Sequence, residues 1–225
     1  MSLRGKLFAL FYDRQMAKTE AAGLAELRRH LLAGAAGRVL EIGAGTGANL
    51  AYYGPEVTEL TLTEPEAALV RRIERRAATA TVPTTILRAP AEDLPFPDAS
   101  FDVAVSTLVL CGVDDQPRAL RQLARVLRPG GTLLFLEHVR GDDARLAKHQ
   151  DHMNPVSRFV VGCECNRPTL SSIEAVGFVV TEVDHREMPK SPSFVRPLIV
   201  GRAELPAARG SSADATAAAS GAATR

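Results

Sequence analysis

With 225 residues, 46% of them apolar and 24% charged, the chain has the balance of one ordinary globular domain built on a single sizeable core. Its 27 Lys and Arg against 26 Asp and Glu leave a net charge of +1, which gives no electrostatic pull toward nucleic acid or an anionic membrane surface. No stretch reaches the roughly 18 to 20 continuous apolar residues of a membrane span. The 3 cysteines, an odd number, do not suggest a disulfide framework. The cytoplasm is the expected location, and the sequence carries no signal of oligomeric state.

The first 36 residues read as helical, because Leu24, Leu27, Leu31 and Leu32 share one stripe and Gly34 and Gly37 stop the segment. Arg28 and Arg29, and further on Arg71, Arg72, Arg75 and Arg76, read as solvated helix faces. Arg38–Ile42 is a short β-rich run that leads directly into Gly43-Ala44-Gly45-Thr46-Gly47. A second strand, Val57–Thr63, ends at Glu64-Pro65, where proline suits a first helical turn. Leu69, Ile73 and Ala77 carry that helix onward. Thr84–Arg88 is a third strand, and the nearly unbroken apolar run Phe101–Leu110 is a central fourth, covered on both faces. A helix over Pro117–Leu127 is stopped by Pro129-Gly130-Gly131 and gives way to a fifth strand, Thr132–Glu137. Thr169 reads as the N-cap of a short helix closed by Gly177. Phe178–Val183 and Phe194–Val200 follow; the roughly ten residues between them are too few for a crossover, so they should pair antiparallel. This alternation predicts an α/β sheet with helices on both faces. Beyond 204 the composition collapses to Ala, Ser, Gly and Thr, which predicts a disordered tail over 205–225.

The chemistry centres on Glu41 through Asn49. A strand running into three alternating glycines lets the backbone turn sharply and approach a ligand that a Cβ would block. Gly43, Gly45 and Ala48 also satisfy the degenerate dinucleotide fingerprint, so the turn alone is ambiguous. Two acids weigh against a nicotinamide cofactor. Glu41 precedes the first glycine by two residues, and a carboxylate there suits a cationic ligand better than a pyrophosphate. Glu64 ends the second strand, placed to accept hydrogen bonds from both hydroxyls of a ribose.

These residues, together with Ala91-Glu92-Asp93-Leu94-Pro95-Phe96 and Leu127-Arg128-Pro129-Gly130-Gly131, resemble the ordered motifs of the class I S-adenosylmethionine-dependent methyltransferases, in the subgroup similar to the quinone-biosynthesis C-methyltransferases. Thr107 to Cys111, Glu137-His138-Val139, Gly162-Cys163 and Val195-Arg196-Pro197 are similar to the methyltransferase-like alkyl thiol S-methyltransferases and their bacterial relatives. The resemblance implies a Rossmann-like seven-stranded sheet, mostly parallel with the last strand antiparallel, over 38–204, preceded by a helical lid over 1–37. It implies S-adenosylmethionine as methyl donor and a small-molecule, apolar methyl acceptor, with a thiol as the leading choice and a quinone-like or natural-product carbon or hydroxyl as the alternative. Gly43, Gly45, Gly47 and Asn49 would then line the methionine and ribose portion. Glu64 and Pro65 would sit at the ribose diol, Ala91 and Glu92 beside adenine, and Ser106 or Thr107 near the methionine moiety. Tyr12 would fold over the donor. The N-terminal membrane anchor of the animal proteins is missing, so no stable membrane insertion is expected; bacterial relatives often carry histidine where Glu164 stands.

His138, following the fifth strand, is the candidate general base, with an ordinary pKa near 6.5. His149, His152, Cys163 and Cys165 do not match a common zinc spacing, so no metal is expected. The segment Arg140–Pro168 is long for a loop and should hold a helix and form the acceptor pocket, with Phe159, Val160 and Val161 as an apolar wall. The competing functions are a nicotinamide-dependent oxidoreductase and a cofactor-binding protein without catalysis.

Overall fold

The apolar runs of the sequence become the middle of one seven-stranded sheet in a computed structural model that describes residues 17–207, apart from the side chains at 160 and 161. The strands are β1 (Gly37–Ile42), β2 (Val57–Thr63), β3 (Thr84–Leu87), β4 (Phe101–Thr107), β5 (Leu127–His138), β6 (Val179–Glu187) and β7 (Pro197–Glu204). Their order is β3-β2-β1-β4-β5-β7-β6. Neighbours from β3 to β5 run parallel, whereas β7 is antiparallel to both β5 and β6, the Rossmann-like arrangement expected.

Period-two alternation sends neighbouring residues to opposite faces. Val39, Leu62, Val105 and Leu134 pack under α1 (Ala25–Leu32) and α2 (Ala67–Ala77). Leu40, Ala104 and Phe135 pack under α3 (Gln116–Val126) and the short α5 (Thr169–Ala175), through Leu120, Leu123 and Ile173. Each fully buried leucine contributes roughly 1.5–3 kcal/mol, so both helical layers are held mainly by these stripes. The segment 140–168 does hold a helix, α4 (Ala144–Val161), started by the Asp143 carboxylate, which accepts from the N–H groups of Arg145 and Leu146.

Several boundaries differ from the sequence reading. Pro129-Gly130-Gly131 lies inside β5 rather than before it. Strand β4 stops at Thr107, because Leu108 adopts a left-handed φ of 61° and the chain turns back on itself, Gly112 and Val113 both donating to the Val109 carbonyl. Pro65 lies outside the first turn of α2, whose N-cap is Glu66. Thr169 is the first residue of α5 rather than its cap; its buried hydroxyl accepts from Gln116 instead.

On β7, Gly201 lies between two neighbours so near that a Cβ there would stand 2.2 Å from the Glu182 carbonyl oxygen of β6 and 2.7 Å from the Phe135 ring of β5. The register of β6 slips between Val180 and Glu182 beside it.

Candidate active site

The parallel strands deliver their functional groups to one edge, where their carboxyl ends meet the loops. After β1 the chain turns through Gly43, Gly45 and Gly47, with φ of 55°, 58° and 76°. This is left-handed backbone, which side-chain-bearing residues rarely adopt. A Cβ at Gly43 would stand 2.7 Å from the Val109 methyls, so the turn is packed directly against the loop that follows β4. Glu64, at the end of β2, is only 5% exposed. One of its oxygens accepts from Gly45 N at 2.9 Å and the other from Glu66 N at 3.0 Å, leaving a second lone pair on each. Burial raises its pKa, and the two backbone bonds counter part of the rise.

Glu41 is buried beneath the turn, where its oxygens accept from Asn49 Nδ2 at 2.9 Å and Tyr53 OH at 2.6 Å. Burial pushes its pKa to about 7, although Tyr53, Arg28 and Asn49 all pull it down. Asn49 Nδ2 also donates to Thr107 Oγ1 at 3.0 Å. Arg28 completes the network. Its Nη1 reaches Asn49 Oδ1 and Thr107 Oγ1, both at 2.9 Å, and its Nε reaches Glu20. The expectation that Arg28 belongs to a solvated face is therefore wrong. It is 5% exposed, because the π-helical segment Glu20–Leu24, kinked at Gly23, carries Glu20 back beside α1 to hold the guanidinium inside. Nor does Glu41 present a bare carboxylate to a ligand; Asn49 and Tyr53 already donate to its two oxygens.

The remaining expected positions scatter. Ala91 is buried in the core beside Leu40 and Leu94. The Glu92 carboxylate accepts from Asp114 N and Asp115 N, which fixes the entry into α3. The Pro65 carbonyl accepts from Arg88. Tyr12 lies outside the described residues.

At the end of β5, burial pushes the His138 imidazole down to about 4, and hydrogen bonding to the backbone at Pro197 and Val195 offsets only part of this. Its Nδ1 is buried without a partner. The ordinary value near 6.5 does not survive, since a charged imidazole is costly in a dry site. Beyond it, a cavity of about 560 Å³ opens between the end of β5, the start of α4 and the β6–β7 hairpin, walled by Val139, Leu146 and Leu198. Arg140, Arg186 and Arg196 stand at its rim, each already paired, with Asp151, Asp184 and Glu187 respectively. Phe159 is not part of this wall; it is 92% exposed on the outer side of α4. The side chains at 160 and 161 are outside the described residues. His149 packs edge-on to Phe194, with 5.8 Å between ring centroids. Among the described residues no three His, Cys, Asp or Glu side chains are arranged to hold a metal ion.

A family profile described as a methyltransferase domain matches residues 40–135, the span of the glycine turn, both acids and β4. Human thiol S-methyltransferase TMT1A is 33% identical over 204 residues, covering 87% of this chain and 82% of its own. The chain is an S-adenosylmethionine-dependent methyltransferase. Solved structures place it in the same fold. An S-adenosylmethionine-dependent methyltransferase from Thermotoga maritima aligns with a TM-score of 0.65 at 24% identity, over 88% of this chain and 96% of that one. The [4+2]-cyclase SpnF aligns with a TM-score of 0.64 at 20% identity, over 84% and 82%. A cyclase on this scaffold makes clear that the sheet alone does not decide the reaction.

Three groups that organise the methyltransferase's site are not among the expected site residues. Glu137 is fully buried at the end of β5; its Oε1 accepts from Ser106 Oγ at 2.6 Å and Val109 N at 3.1 Å, pinning the loop after β4. An acid closing the apolar run Leu133-Leu134-Phe135-Leu136 was the available signal. Gln150, 1% exposed on α4, donates to the carbonyls of Val139, Cys165 and Phe194 and accepts from Gly141 N. Arg28 is the third. A lone polar residue in a polar helix offers no warning that it is a hub.

Proposed function

We propose that this methyltransferase transfers the methyl group of S-adenosylmethionine to the sulfur of a small apolar thiol. The observation that carries the reading is the likeness to a thiol S-methyltransferase that runs across most of both chains. The local chemistry agrees with it. When bound, S-adenosylmethionine supplies an electrophilic methyl on a sulfonium that departs as a neutral thioether, so no acid is required. A thiol with an ordinary pKa near 8.5 is already partly ionised at neutral pH and needs little help from a base. His138, whose pKa is pushed down to about 4, is not tuned to receive a proton near neutrality, which disfavours a hydroxyl acceptor. Its proposed part is to hold the end of β5 against the β6–β7 hairpin. The cavity beyond it is the proposed acceptor pocket: Val139, Leu146, Pro197 and Leu198 offer an apolar wall, and the arginines at the rim are paired with carboxylates. The protein's main contribution is alignment and exclusion of water, and good alignment is worth about 7 to 11 kcal/mol.

For the donor, the left-handed turn through Gly43, Gly45 and Gly47 forms the cradle, and Glu64 keeps two lone pairs for the ribose diol. Glu41, acting through Asn49 and Thr107, favours the donor's ammonium and sulfonium. Arg28 is assigned to the donor's carboxylate, as the buried cation beside the turn. Ala91 and Glu92 are assigned to the adenine side, and Tyr12 to the cover.

The test is turnover with isotope-labelled donor against apolar thiols and against phenols and amines of matched shape. Methylated thiol should dominate; methylated phenol with untouched thiol would sink the reading.

A further inference from the structure

All three cysteines of the chain, Cys111, Cys163 and Cys165, are buried together at the carboxyl edge of the sheet, outside the donor cradle and the acceptor cavity. Cys163 stands between the other two. Its Sγ lies 3.5 Å from Cys165 Sγ, and its thiol also hydrogen-bonds that of Cys111. Ser157 Oγ, from α4, is 3.5 Å from Cys165 Sγ on the far side. Three thiols converging from the loop after β4 and the loop after α4 are more than apolar packing requires, since valine or alanine would fill the same space without sulfur contacts.

We propose that Cys163 and Cys165 form a peroxide-sensitive dithiol that closes reversibly into a disulfide. The two sulfurs need to approach by only about 1.5 Å to reach bonding distance. The neighbours set the order of events. Hydrogen bonds from Cys163 and Ser157 lower the Cys165 pKa, while Cys111, Cys165 and burial raise that of Cys163. Cys165 is therefore the thiolate that attacks, and Cys163 resolves. The Cys165 thiolate takes the terminal oxygen of a hydroperoxide, giving a sulfenic acid and releasing hydroxide or alkoxide. The Cys163 thiol then condenses with that sulfenic acid, the S–O bond breaks, an S–S bond forms and water leaves. The peroxide supplies the two-electron oxidant, and a small dithiol restores the pair.

The disulfide has a route to the donor site. Glu164 N, between the two cysteines, donates to the Cys111 carbonyl at 2.8 Å. Arg167 holds the carbonyls of Leu110 and Val113 at 2.8 and 2.7 Å. The loop so gripped carries Val109, whose methyls press on Gly43. Closing the ring at Cys163 and Cys165 shifts Glu164 and, through that loop, the wall of the cradle, so oxidation should lower methyl transfer. This last link rests on the donor site proposed above; the disulfide itself does not.

The test treats the full-length protein with hydrogen peroxide, then alkylates free thiols and maps tryptic peptides. Cys163 and Cys165 share one tryptic peptide and Cys111 lies in another. The expected product is the shared peptide unalkylated and lighter by about 2 Da, the two hydrogens lost on oxidation. Methyl transfer should fall several-fold and return with dithiothreitol, whereas Cys163→Ser and Cys165→Ser should keep basal turnover and ignore peroxide at that dose. A cross-link to Cys111, sulfinic acid in place of a disulfide, or a fully alkylated peptide would overturn the pairing, and peptide mapping of the unsubstituted protein decides this even if a variant fails to fold. A disulfide formed with turnover unchanged would overturn the coupling while leaving the pairing in place.

Discussion

The proposed donor cradle and the proposed acceptor cavity are built on different plans. The donor cradle is centred on a nearly contiguous stretch, Glu41 to Glu64, in which backbone geometry and two acids act within a single β-turn-β unit, with Arg28 and Thr107 joining it from elsewhere in the chain. The acceptor cavity is assembled from pieces far apart in the chain, the end of β5, the start of α4 and the β6–β7 hairpin, joined where Gln150 grips the carbonyls of Val139 and Phe194. A site made of local geometry keeps its form while the loops opposite it change. A site made of long-range anchors can be rebuilt one anchor at a time, which is how one scaffold serves many acceptors.

The sharpest way to break this contrast is Glu64→Ala. Two backbone N–H groups would lose their acceptor along with the ribose diol, and each charge-assisted bond is worth roughly 1.5–3 kcal/mol. The donor dissociation constant measured by calorimetry should rise about a hundredfold or more; a constant that stays put removes Glu64 from the site. On the acceptor side, His138 offers a stability test. Its folded pKa of about 4 lies below its ordinary value, so the folded protein binds protons less readily than the unfolded chain does. The stability it permits is complete above about pH 6.5 and is lost as pH falls toward 4, by something on the order of 3 kcal/mol. Denaturant midpoints across that window should fall less steeply for His138→Phe; an identical slope would mean that the imidazole is not held neutral.

Arg28→Met comes next. The unsubstituted protein should prefer S-adenosylhomocysteine to 5′-methylthioadenosine, which lacks the carboxylate, and the variant should lose about tenfold or more of that preference, the scale of one hydrogen bond to a charged group. Equal loss of affinity for both ligands would make Arg28 a structural strut only. The smallest effect concerns Glu41. With its pKa raised to about 7, it is mostly ionised at pH 8 and mostly protonated at pH 6, and a cationic donor favours the ionised form. Donor affinity should therefore weaken about tenfold from pH 8 to pH 6, a single titration, and Glu41→Gln should flatten the profile. A flat profile in the unsubstituted protein would uncouple Glu41 from the donor.

The same contrast explains what the sequence made legible. The turn at Gly43, Gly45 and Gly47 was readable because a left-handed backbone demands a particular residue type at a fixed spacing, and the antiparallel pairing of β6 with β7 followed from a connection too short to cross over. Val57–Thr63 matched to the residue, since apolar alternation sets its limits. Arg28 was misread because its surroundings arrive from residues 20, 49 and 107, none of which a helical pattern can anticipate. The end of β4 was placed three residues late because Leu108, Val109 and Leu110 are apolar for loop packing rather than for strand pairing. His138 was placed correctly on the edge but given the wrong acidity, since its burial depends on a hairpin sixty residues away in sequence.

Gly201 bears no functional group, and it governs the breadth of the proposed acceptor chamber from the rim of the sheet. By letting β6 nestle against β7, it sets where His185, Arg186 and Glu187, the chamber's outer panel, come to stand. Replacement by alanine at this one position would drive the outer strand away from its neighbour and widen the chamber with no change to any residue lining it. Selectivity toward bulkier molecules is thus adjustable by a spacer that no substrate ever meets.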